Sequence, residues 1–119
     1  MSRILAAVAA LCALSLASHA SAHAHLISSD PAANATVAAP RQITLHFTET
    51  LNPTFSGASM TMPQMADMAE PAKVAFSADK LSMVVTPNGP LAAGAYKVSW
   101  HAVTPDTHRT QGDFVFTVK

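Results

Sequence analysis

Cysteine is almost missing from this chain. The one example, Cys12, lies in an apolar N-terminal run. The rest of the molecule therefore has no disulfide and no thiol ligand. Charge is scarce as well, at 12% of residues, with seven Lys and Arg balancing seven Asp and Glu. The cations are scattered and form no basic stripe, which argues against a nucleic-acid partner. Aromatic residues make up 6%, with a single Trp and a single Tyr. A broad aromatic binding face is thus excluded. No stretch sustains a helical apolar period, and no internal repeat or low-complexity linker is visible.

What is present begins with an export signal. Met1-Ser2-Arg3 is charged, the run from Ile4 to Ala17 is apolar, and Ala20-Ser21-Ala22 is a small-residue triplet. That order is the one a secretory signal peptide needs. Residues 1–22 are expected to be removed by a cut after Ala22, leaving residues 23–119 as one domain. Cys12 and His19 leave with the leader. Arg3 leaves too, so the mature balance is six cations against seven anions. No second long apolar run exists, and the mature domain is expected to be soluble.

The pattern along residues 23–119 is that of an all-β protein. Ser28 to Asn34 reads as a turn. Gln42-Ile43-Thr44-Leu45-His46-Phe47 alternates, placing Ile43, Leu45 and Phe47 inward. Further strands are expected over Ser59–Met62, Lys73–Phe76, Leu81–Thr86, Ala95–Val103 and Thr110–Val118. Pro63 to Pro71 reads as a loop, and Pro87-Asn88-Gly89-Pro90 as a turn. The segment Leu91-Ala92-Ala93-Gly94-Ala95-Tyr96 has the form of a tyrosine corner. An antiparallel, immunoglobulin-like Greek-key β-sandwich or barrel of about seven strands follows.

Candidate metal ligands are the other feature. Cleavage after Ala22 would free the amine of His23. An N-terminal His offers two nitrogens, amine and ring, to one ion, and Cu(II) favours nitrogen and oxygen donors in a tetragonal plane. Asp106 and His108 are two apart, so in an extended segment they face one target together. With His23 they would supply three nitrogens and one oxygen. Alone, Asp-x-His is as well explained by a turn carboxylate beside a surface His. His25 opens an alternative, since an amine with His in third position can wrap Cu(II) through two amide nitrogens; that needs a mobile terminus. Otherwise His25 is a surface strand residue. His46 reads as a solvated strand His. His101 lies either under the metal site or on the sheet surface.

Met62, Met65 and Met68 fall on a polar segment where core packing is a poor explanation. Thioethers select Cu(I). Met60 and Met83 sit inside apolar runs and read as core.

These pieces together resemble the CopC family of periplasmic copper-resistance proteins. The matching segments are His23-Ala24-His25-Leu26, Ser29-Asp30-Pro31, Ile43-Thr44-Leu45-His46-Phe47, Phe55-Ser56-Gly57-Ala58 and the methionine segment. Leu91 to Tyr96, Trp100-His101-Ala102-Val103, Asp106-Thr107-His108 and Phe114 to Val118 complete them. The resemblance implies a periplasmic Greek-key β-barrel that carries copper. The family's Cu(II) ligands fall on His23, Asp106 and His108. Its Cu(I) methionines fall on Met62, Met65 and Met68. The loop His of that second site is missing, with Glu70 near its place, and the loop is shorter. Met60 is the residue that would complete the site in place of that His.

The expected function is to sequester Cu(II) and hand copper on, with an inner-membrane importer or another periplasmic copper protein as the partner that the resemblance suggests. No nucleophile-base pair is visible, so the expectation is a binding protein and not an enzyme. One rival is a copper monooxygenase with an N-terminal His; Asp106 as an additional ligand argues against it. A metal-free immunoglobulin-like interaction module is the other, and it leaves the terminal His and the methionines without a role.

Overall fold

Alternating side chains and frequent turns leave these residues little choice but paired strands. The structure, a computed structural model, describes residues 23–119. The expected leader over residues 1–22 and its cleavage point lie outside the described residues.

Nine strands form among the described residues: β1 Leu26–Asp30, β2 Thr36–Val37, β3 Ile43–Phe47, β4 Gly57–Met62, β5 Met68–Glu70, β6 Ala72–Phe76, β7 Ser82–Pro87, β8 Gly94–Val103 and β9 Arg109–Val118. They make two facing sheets, ordered β1-β3-β7-β6 and β2-β9-β8-β4-β5. All pairs are antiparallel except the short β2, which runs parallel to β9. The expected sandwich is therefore present. Two of the nine strands, β2 and β5, are edge pieces too short to show alternation in the sequence.

The core forms where the inward rows meet. Ile43, Leu45 and Phe47 of β3 face Tyr96, Val98 and Ala102 of β8 and Phe114, Phe116 and Val118 of β9, with Met60 and Met83 filling the gaps. Both methionines are buried, as their apolar runs suggest. Trp100 packs edge-on against Phe47, with ring centroids 5.2 Å apart. Its ring also covers the backbone at Gly112, where a Cβ would lie 2.7 Å from Trp100 Cζ2. Only glycine fits there. The tyrosine corner closes as expected: the Tyr96 hydroxyl donates to the Ala92 carbonyl at 2.7 Å. Burial, and then the Glu70 charge, push the Tyr96 phenol above its ordinary value.

Two expectations need correction. Ser28 to Asp30 belong to β1, and the turn starts only at Pro31. A bulge between Leu26 and Ser28 lets exposed, polar residues pair with β3 without the expected alternation. The stretch from Pro63 to Pro71 is not simply a loop. Pro63–Met65 form a 3-10 turn, Ala66 and Asp67 take left-handed conformations (φ 54° and 56°), and β5 then pairs back on β4. Two consecutive left-handed residues make a tight hairpin turn that this sequence, without Asn-Gly, does not advertise.

Candidate metal centre

The segment His23 to His25, just before β1, is fixed by threonine hydroxyls. Ala24 is buried in the core, with 1% of its surface exposed. The Thr110 hydroxyl donates to the Ala24 carbonyl at 2.6 Å. Thr48, just past β3, accepts from the His25 N–H at 2.9 Å and donates to the His23 carbonyl at 3.4 Å. Its own N–H donates to the His25 carbonyl at 2.9 Å. The flanking residues are thereby held against both sheets. His23 is half-buried and His25 exposed.

The loop between β8 and β9 reaches the same end of the sandwich. Thr107 N–H donates to the Thr104 carbonyl at 2.9 Å, and Thr104 N–H to the His108 carbonyl at 3.1 Å. Thr107 is left-handed, with φ of 71°. The expected extended geometry for Asp106-Thr107-His108 is thus wrong. A turn, not strand alternation, brings the pair together, and His108 Nδ1 lies 2.9 Å from Asp106 Oδ2. The Thr104 hydroxyl donates to Asp106 Oδ1. That hydroxyl, and next the His108 ring, hold the Asp106 carboxyl below its usual value although both residues are solvent-exposed.

These two segments meet. The rings of His23 and His108 lie 4.6 Å apart, centroid to centroid, at 56°. Asp106 is bonded to His108, so all three side chains form one cluster. Both carboxylate oxygens are engaged, and among the described residues no three His, Cys, Asp or Glu side chains already converge on a single point. An ion bound by all three would have to replace the bond between Asp106 and His108. Glu49 and Thr50 share a shallow pocket with Thr104, Pro105 and Asp106. No sequence pattern singles out Glu49, or Thr48, Thr104 and Thr110. Thr48 and Thr110 are marked only by long-range contacts, and Thr104 by its bonds within the turn.

The remaining candidates lie elsewhere. His46 is exposed on the outer face of its sheet, with Nδ1 2.9 Å from Ser82 Oγ. His101 lies on the outer face of the five-stranded sheet. There it lines a polar cleft of about 400 Å³ with Ser59, Ser99, Arg109, Gln111 and Asp113. Burial, and then the Arg109 charge, lower its pKa. This cleft includes none of His23, Asp106 and His108.

Met62 and Met68 are opposite one another in the β4–β5 register, and Met65 lies in the turn between them. Met65 and Met68 are exposed, while Met62 packs partly against the core. Register places this tip at the Gly94 end of β8, since Thr61 pairs with Lys97 and Gly57 with His101. The His23 cluster is at the Val103 end, a ten-residue strand away, or about 30 Å.

Comparison with known proteins gives the chain clear relatives. The CopC domain family matches residues 26–119. Copper resistance protein C of Xanthomonas campestris pv. juglandis is 46% identical over 98% of this chain and 97% of its own length. Copper resistance protein C of Escherichia coli is 47% identical over 89% of both chains. The crystal structure of PcoC, a methionine-rich copper resistance protein from Escherichia coli, superposes with a TM-score of 0.77 at 50% identity. It covers 82% of this chain and all of that one.

Proposed function

The chain belongs to the CopC domain family, and from that premise we propose how its own residues carry the metal. It is a copper-binding protein of the copper-resistance kind. The proposed Cu(II) ligands are the amine and ring of His23, the ring of His108 and the carboxylate of Asp106. The observation that carries this reading is the 4.6 Å approach of the His23 and His108 rings, with Asp106 already on His108. Cleavage after Ala22 supplies the amine, which in the uncut chain is a peptide nitrogen. Nitrogen and carboxylate donors suit Cu(II). All of them must shed protons to bind, so affinity falls on acidification.

The methionine hairpin is proposed as a separate Cu(I) site of soft donors, Met62, Met65 and Met68. The facing register of Met62 and Met68 supports it. Glu70 brings no nitrogen where the resemblance implies an imidazole, and Met60, which the sequence offers as a further donor, is buried in the core, so the three thioethers act alone.

The proposed role is sequestration in the periplasm and hand-over to an importer or another copper protein, without turnover of a substrate. The test is a Cu(II) titration of the protein beginning at His23, followed by electron paramagnetic resonance and calorimetry. One equivalent should bind with a tetragonal signal. His23→Ala and His108→Ala should each abolish tight binding. Unchanged affinity in both variants would place the site elsewhere.

A further inference from the structure

His23-Ala24-His25 at a free terminus is also the sequence of a different chelate. Amine, two amide nitrogens and the third-position imidazole can surround Cu(II), with both amide protons released to solvent. That arrangement needs the Ala24 and His25 nitrogens to turn towards one point. The fold holds them away. His25 N–H is spent on Thr48 Oγ1, and the His23, Ala24 and His25 carbonyls each accept a bond from Thr48 or Thr110. The Ala24 side chain is anchored in the core. A hydroxyl is essential at position 48, because the same oxygen donates to His23 and accepts from His25.

We propose that Thr48 and Thr110 select the coordination mode: they keep the terminus in the form that presents His23 to His108, and they shut out the amide-wrapped form through His25. The inference rests on the Cu(II) site proposed above. Neither threonine is a ligand; each acts through the backbone it holds. The selection has a functional sense. A wrapped ion would be enclosed by the terminus alone and would leave Asp106 and His108 idle. The clamped form keeps the ion on the sandwich surface, held by groups from two segments.

The test uses the protein beginning at His23, loaded with one equivalent of Cu(II). Thr48→Val with Thr110→Val removes both hydroxyls at nearly constant shape, and Thr48→Ser with Thr110→Ser keeps them. The readouts are the paramagnetic resonance spectrum, the position of the visible d–d band, and the protons released per copper in a pH-stat. The valine protein should gain a four-nitrogen form, with its band at shorter wavelength and about two additional protons released per copper, one from each amide. Adding His25→Ala to it should remove that form. The serine protein should keep the parent spectrum, and His25→Ala alone should leave the parent unchanged. A folded valine protein with the parent spectrum and proton count overturns the selector. So does a parent spectrum that changes with His25→Ala. If the double valine protein does not fold, Thr48→Val alone and the parent His25→Ala comparison decide the matter by the same criteria. His108→Ala in the parent separates the two claims: an unchanged spectrum there sinks the Cu(II) site itself, whereas the clamp variants judge only the selector.

Discussion

The hydroxyl of Thr110 donates to the carbonyl of Ala24 at 2.6 Å, across 86 positions of the chain. Through this bond the start of the last strand holds the segment just before β1. His108, two residues before Thr110, is brought beside His23 by the same contact. The two imidazoles meet because the sandwich places the β8–β9 turn and the segment before β1 at one end. Nothing local to either segment would do it.

Thr104 should matter to the metal without touching it. Its hydroxyl is the first cause of the lowered Asp106 pKa, with His108 second. A depressed carboxyl stabilises the fold above its unfolded pKa, and that contribution is lost as pH falls through the folded value. The window therefore lies below the ordinary 3.8. In milder acid Asp106 is therefore still ionised. Thr104→Val should raise the Asp106 titration towards 3.8, as read by carboxyl-carbon resonance. It should weaken Cu(II) binding by about 10-fold, as loss of a ligand's supporting bond commonly does. An unmoved titration would contradict the assignment.

Gly112→Ala should damage the core and spare the ligands. The added Cβ would lie 2.7 Å from Trp100 Cζ2, and Phe47 backs that ring. Overpacking of this kind costs about 1–3 kcal/mol. Urea melts should show the loss, and the near-ultraviolet dichroism of Trp100 should change. A melt identical to the parent would mean that the ring has room to move.

Tyr96→Phe should cost about 1 kcal/mol, the usual net value of one hydrogen bond, because it removes the bond to the Ala92 carbonyl. The phenol pKa is raised in the fold. Its contribution is thus complete below the unfolded value and fades as pH rises through the folded one. The parent should lose stability in strong alkali more steeply than the phenylalanine variant. Copper spectra of the two should coincide, since Tyr96 lies towards the methionine end of β8. Equal alkaline slopes would contradict the shift.

Much of this fold is legible in the sequence. Alternation reveals the inward rows of β3, β8 and β9, because a half-buried strand needs period two. The tyrosine corner and the buried Met60 and Met83 are legible for local reasons too. The hairpin at Ala66-Asp67 is not, because an alanine in a left-handed turn breaks the rules by which turns are read. Strand β5 is hidden for the same reason. The spacing of Asp106 and His108 points to two side chains that do meet, but through a turn and not an extended segment, since Thr107 is left-handed and no spacing rule reports that. The threonine clamps are invisible: hydroxyls that act across 23 and 86 positions leave no periodic trace.

A free His23 amine and ring together form one half of the proposed copper site. The most direct measurement compares two proteins, one beginning at His23 and one carrying a single Gly before it. The extra residue turns the amine into a peptide nitrogen and leaves every side chain in place. Cu(II) affinity should fall by at least about 100-fold, more than loss of a supporting bond causes, and the nitrogen couplings in the resonance spectrum should decrease. Equal affinities with identical spectra would contradict the terminal chelate.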